Sequence, residues 1–117
     1  MSWIRLRVYR SRPYRAWFRN LDIKTQRIID ARIDIARRDG ILIKHKLLDQ
    51  ETSLYEFKWD SGLRVYFSLL QDKDGNFLLL LQGGNKNSQK ENIGSAKNVI
   101  LKAVRSILGK KKKIEEK

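Results

Sequence analysis

The chain of 117 residues contains no cysteine, one histidine and one proline. Without cysteine there is no disulfide framework, thiol nucleophile or thiolate metal site. A lone histidine, His45, excludes both a paired-histidine nuclease centre and a histidine metal cluster. No metal and no cofactor are therefore expected, and His45 reads as a surface residue in a basic loop or as a minor RNA contact. Long apolar runs are also missing, and none approaches the ~20 residues needed to cross a bilayer. The first residues alternate Trp3, Ile4, Arg5, Leu6, Arg7, Val8, with too many arginines for a signal-peptide apolar region. The expectation is a soluble, cytoplasmic protein with no membrane partner.

Negative charge is scarce: 13 acidic residues face 26 lysines and arginines. Residues 110–117 hold five of the basic and two of the acidic residues, so an excess of ten positive charges remains without them. The basicity belongs to the folded body, and a polyanion is the natural partner. A soluble protein with a merely basic surface is the other reading. The length and a hydrophobic content of 41% fit one domain with a small core, expected over 1–109 with a basic flexible tail over 110–117.

The periodicity gives an element order. Ile4, Leu6 and Val8 alternate with charged or polar neighbours as a half-buried strand does, and Ser11 to Pro13 ends it. A helix from Tyr14 carries Trp17, Phe18 and Leu21. A second begins at an Asp22 N-cap, with Ile28, Ala31 and Ile35 on one side and Ile29, Ile33 and Ala36 beside them, and Gly40 stops it. Leu47 and Leu48 suggest a short strand. Leu54 to Trp59 and Leu63 to Leu69 alternate as strands joined by an Asp60-Ser61-Gly62 turn, and Asp72 to Asn76 is a hairpin turn rather than a calcium loop. Phe77 to Leu81 is apolar on both parities, as a central strand would be. Ser88 and Glu91 have capping-box spacing before a helix marked by Ile93, Ala96, Ile100 and Ile107, with Gly109 as its stop.

Two constellations can carry chemistry. If the strands pair through the Asp60 to Gly62 turn, Glu56, Lys58, Arg64 and Tyr66 share one sheet face. That face reads as a cleft floor for an anion, or as a solvated face with ordinary cross-strand ion pairs. Gly83-Gly84-Asn85-Lys86 reads as a glycine turn bringing Lys86 and unpaired amides to a helix N-terminus, which would suit an anion, or as a plain strand-to-helix turn.

The segments Leu54-Tyr55-Glu56-Phe57-Lys58, Gly62-Leu63-Arg64-Val65-Tyr66-Phe67, Leu78 to Leu81 and Gly83-Gly84-Asn85-Lys86-Asn87-Ser88-Gln89, followed by Ile93 and Ala96-Lys97, resemble the HigB-like addiction-module killer proteins of the RelE/ParE toxin superfamily. The similarity spans Arg12 to Val104. It implies a RelE-like α+β fold: an N-terminal strand and helical hairpin, an antiparallel sheet of three to four further strands, and a C-terminal helix. It also implies a type II toxin neutralised by a cognate antitoxin, expected to be of helix-turn-helix type. Many relatives cut mRNA on the ribosome without a metal, the ribose 2′-OH attacking its own 3′-phosphate. On that resemblance Arg64, Lys58 and Lys86 are the expected catalytic residues, with Glu56, Tyr66 and Gln89 expected to bind substrate. Lys58 and Asn85 depart from the arginine and aspartate usual in the family. A ParE-like inhibitor that poisons gyrase by binding, and a basic nucleic-acid-binding module without toxicity, are the alternative functions.

Overall fold

The computed structural model describes residues 6–39 and 45–115, with side chains through Ala103. Five strands form one sheet in the order β1-β5-β4-β3-β2. These are β1 (Arg7–Arg10), β2 (Lys46–Asp49), β3 (Leu54–Lys58), β4 (Leu63–Asp72) and β5 (Gly75–Asn85). β1 runs parallel to β5, and every other pairing is antiparallel. The helices are α1 (Arg12–Arg19), α2 (Ile23–Asp39) and α3 (Gln89–Glu115), with a 3-10 turn, Lys86–Ser88, ahead of α3. No helix among the described residues is long and apolar enough to cross a membrane.

The helical hairpin begins earlier than the sequence pattern suggests, because Ser11 is the cap. Its Oγ accepts from the Tyr14 amide at 3.1 Å and donates to the Leu81 carbonyl at 2.8 Å, so it closes the first turn of α1 and anchors it to β5. Pro13 falls in that first turn, where its missing N–H is not needed. Asp22 caps α2 as expected, its Oδ1 accepting from Thr25 N at 3.0 Å. Ile29, Ile33 and Ala36 form the buried stripe, while Ile28 and Ile35 lie on the exposed side. The expected stop at Gly40 falls outside the described residues.

Each face of the sheet is covered. On one, Tyr14, Ile29, Ile33 and Ala36 of the helical pair pack on Phe57, Val65, Phe67, Leu78 and Leu80. On the other, Ala96 and Ile100 of α3 pack on Leu54, Tyr66 and Leu81. β5 is buried on both sides, as its unbroken apolar run requires. Arg7 clamps β1 to the β4–β5 hairpin, with Nη1 3.0 Å from Asp72 Oδ2, Nη2 2.5 Å from Asp72 Oδ1 and 3.0 Å from the Gly75 carbonyl. The stop expected at Gly109 is not observed, since α3 runs on to Glu115. One glycine costs a helix only about 1 kcal/mol, and lysine is by its intrinsic propensity a good helix former.

Candidate nucleic-acid interface at the β3–β4 turn

The turn after Lys58 is tightly made. Gly62 N donates to the Trp59 carbonyl at 3.0 Å, Trp59 N donates to the Leu63 carbonyl at 3.0 Å, and Gly62 takes a φ of +100°, which favours glycine. This geometry fixes the register behind it: Lys58 lies opposite Arg64, Glu56 opposite Tyr66 and Leu54 opposite Ser68. Glu56, Lys58, Arg64 and Tyr66 thus occupy one face, the face covered by α3.

That face is not an open cleft floor along its length. Tyr66 is fully buried and Glu56 is 2% exposed, because the start of α3 lies over them. Gln89 Nε2 donates to Glu56 Oε2 at 3.0 Å, so two residues expected to bind substrate bind each other. The Tyr66 hydroxyl is buried without a hydrogen-bond partner. Burial, and then the Glu56 carboxylate, push its pKa up to about 12 while Arg64 pulls it down. The phenol therefore stays protonated at neutral pH beside Arg64.

The open part of the face is its turn end. Lys58 is exposed and Arg64 is half-buried. Arg64 folds back over the turn, Nη1 donating to the Trp59 carbonyl at 3.1 Å and the Leu63 carbonyl at 2.9 Å, while its buried Nε has no partner. Lys86 arrives from the far side. Its amide donates to the Gly62 carbonyl at 2.8 Å, and its stem lies along Gly62, where an added Cβ would sit 3.6 Å from Lys86 Cγ. Lys58, Arg64 and Lys86 thus come from three elements to one turn.

The glycine pair departs from expectation. Gly83 and Gly84 are not a turn but the last part of β5, paired with Val65 and Arg64. Their lack of side chains serves close packing: a Cβ on Gly83 would overlap the Trp17 ring, and one on Gly84 would overlap the Asn92 side chain. Nor are the amides ahead of α3 unpaired. Asn85 Oδ1 accepts from Asn87 N at 2.9 Å and Ser88 N at 3.2 Å, and Ser88 Oγ accepts from Asn85 N at 3.3 Å. The capping box is Asn85 with Ser88, not Ser88 with Glu91. With Lys86 N also engaged, the positive partner at this end is the Lys86 side chain rather than a cradle of backbone amides.

Three residues here were given no functional part in the sequence reading. Arg32 of α2 places its guanidinium carbon 4.0 Å from the Trp59 ring centre and donates from Nη1 to the Lys58 carbonyl at 2.7 Å. The available signal was an arginine one helical turn after Ile28, beside the expected stripe Ile28, Ala31, Ile35. Trp59, read only as the end of an apolar strand face, is its stacking partner. Gln82 reaches the Tyr66 face through a bulge: Tyr66 pairs with Gln82 and Phe67 with Leu80, leaving Leu81 as the extra residue. His45 is elsewhere, its ring edge-on to Tyr55 with centroids 5.4 Å apart.

No family model matches the chain, and no curated protein matches it in sequence. Among solved structures it is similar to a double arginine-to-alanine mutant of E. coli toxin RelE in the free state. The TM-score is 0.66 at 13% identity, covering 82% of this chain and 98% of that one. It is also similar to the toxin–antitoxin complex RelBE2 of Mycobacterium tuberculosis, with a TM-score of 0.49 at 13% identity over 70% of this chain and 99% of that one. The fold is RelE-like.

Proposed function

We propose that the chain is the toxin of a type II toxin–antitoxin pair and that it cuts mRNA on the ribosome without a metal. The observation that carries this reading is the convergence of Lys58, Arg64 and Lys86 on one turn, with Lys58 and Arg64 directly opposite each other. Like charges placed opposite on a sheet face are destabilising, and an anion between them removes the repulsion. The RelE-like fold and the sequence resemblance to the superfamily support the same reading.

In this mechanism the ribose 2′-oxygen bonds to the adjacent phosphorus and the P–O5′ bond breaks, leaving a 2′,3′-cyclic phosphate and a 5′-OH. The 2′-OH proton passes to a base and a proton is returned to O5′. Arg64 neutralises the extra negative charge on the phosphoryl oxygens, its orientation already set by the Trp59 and Leu63 carbonyls. Lys58 and Lys86 flank it as phosphate clamp and proton-transfer groups. Tyr66 and Glu56 stand behind Arg64 under the start of α3, with Gln89 of that helix bonded to Glu56, and in this reading they position Arg64 rather than touch RNA. An antitoxin with acidic side chains would meet the same cations, and the site of action is the cytoplasm.

The test is induction in a bacterial host followed by mapping of mRNA ends. New ends within translated frames, lost in Arg64→Ala, are the expected result. Growth arrest with intact mRNA and gyrase-linked DNA breaks would instead assign the chain to gyrase poisoning.

A further inference from the structure

The helix-pair side of the same turn carries a groove that this chemistry does not use. It has a volume of about 900 Å³, and Lys24, Ile28 and Arg32 of α2 line it opposite Lys58, Trp59 and Asp60. Lys24 and Arg32 bring two cations to it and Asp60 one acid, while Lys58 meets it through its backbone carbonyl. Arg32 is held in place twice, over the Trp59 ring at 4.0 Å and at its edge by the Lys58 carbonyl at 2.7 Å. Burial lowers its pKa, and the Asp60 carboxylate draws it back up. Ile28, 43% exposed, adds an apolar wall on the same helical turn.

A bound acidic peptide would answer the charges but would have no use for a fixed guanidinium plane backed by indole beside an isoleucine. A nucleotide uses all of these features. Unstacked bases lie on arginine planes and aromatic rings, and apolar walls exclude water from their edges. A guanidinium also presents flat stacking surface that a lysine ammonium cannot.

We propose that this groove binds one unstacked nucleotide of a single-stranded RNA, its base on the Arg32–Trp59 stack and its phosphate at Lys24. The inference rests on the RNA reading, because Lys58 borders both the groove and the Arg64 face. RNA would pass over the turn, with the scissile phosphate on one side and a flanking nucleotide held on the other.

The experiment uses the full chain carrying Arg64→Ala, so that RNA stays intact. Binding of a short labelled single-stranded oligoribonucleotide is followed by anisotropy, beside the same oligonucleotide with one base removed at each position in turn. Arg32→Lys, which keeps the charge and removes the plane, should weaken the intact oligonucleotide about 10-fold, the scale of one lost stacking contact. One abasic position should be insensitive to Arg32→Lys. Exposed Lys24→Ala, chosen because it leaves the core untouched, should weaken both and reduce the salt dependence.

Equal binding by parent and Arg32→Lys, or Arg32 sensitivity unchanged at every abasic position, overturns the proposal. So does an Arg32 dependence seen with an acidic peptide and not with RNA. Ribosome-dependent cleavage, measured in parallel with Arg64 restored, separates the two claims. Cleavage without Arg32-dependent RNA binding removes the groove alone, whereas Arg32-dependent binding without cleavage removes the nuclease reading and leaves the groove.

Discussion

Lys58 and Arg64 face each other across β3 and β4, two cations on one side of the sheet at the mouth of the β3–β4 turn. Arg64→Ala removes the residue whose orientation the Trp59 and Leu63 carbonyls set. Cleavage should fall on the order of 10²-fold or more, the usual loss for one preorganised charge partner. The far-UV spectrum should be unchanged because the side chain lies outside both core clusters. Measuring mRNA cleavage and circular dichroism on the same preparation checks this.

Gly83→Ala should be destabilising although the change is a single methyl group. The added Cβ falls on the Trp17 ring, which must move in a packed layer between α1 and β5. Overpacking of this kind costs about 1–3 kcal/mol. Urea unfolding should show a lower midpoint with an unchanged slope, and Gly83→Ala with Trp17→Leu should recover part of the loss.

Asn85→Ala removes the acceptor for two amides ahead of α3 and breaks the box with Ser88. The expected cost is about 1 kcal/mol. It should appear as faster hydrogen exchange at the start of α3, while the hairpin α1–α2 keeps its protection.

The pH dependence has a sign at each end. The Arg7 guanidinium holds the Asp72 carboxyl below its usual value of 3.8, so the stability that pair provides is present above that value and is lost as pH falls through the lower folded value. Tyr66 is raised from 10.0 to about 12 by burial, so its contribution is complete below pH 10 and is lost between 10 and 12. Asp72→Asn should flatten the acid limb of a stability–pH curve, and Tyr66→Phe should shrink the alkaline limb. Thermal melts across both ranges test the two signs separately.

Much of the fold was legible because it rests on local periodicity. The alternations in β3 and β4, the buried run of β5 and the Ile29, Ile33, Ala36 stripe each record which side faces a core. The joint placement of Lys58 and Arg64 followed from parity and a short turn. What was not legible depends on tertiary contact. Glu56 and Tyr66 alternate like an exposed polar pair, and only the docking of α3 buries them. Gly83 and Gly84 carry the signature of a turn, and only Trp17 and Asn92 explain them as close-packing positions in a strand. Arg32 reached the site through a helix packed across the sheet, and Gln82 through a bulge that no pattern of residue types announced.

In the proposed mechanism the ribose 2′-oxygen, brought beside Arg64 and Lys58, is the nucleophile. The decisive measurement programs purified ribosomes with an mRNA carrying a single 2′-deoxy nucleotide at the mapped cleavage position. The all-ribose message should be cut to a 2′,3′-cyclic phosphate and a 5′-OH, and the deoxy substitution should abolish the cut at that position alone. Cleavage that persists at the deoxy position, or products ending in a 5′-phosphate, would contradict this mechanism.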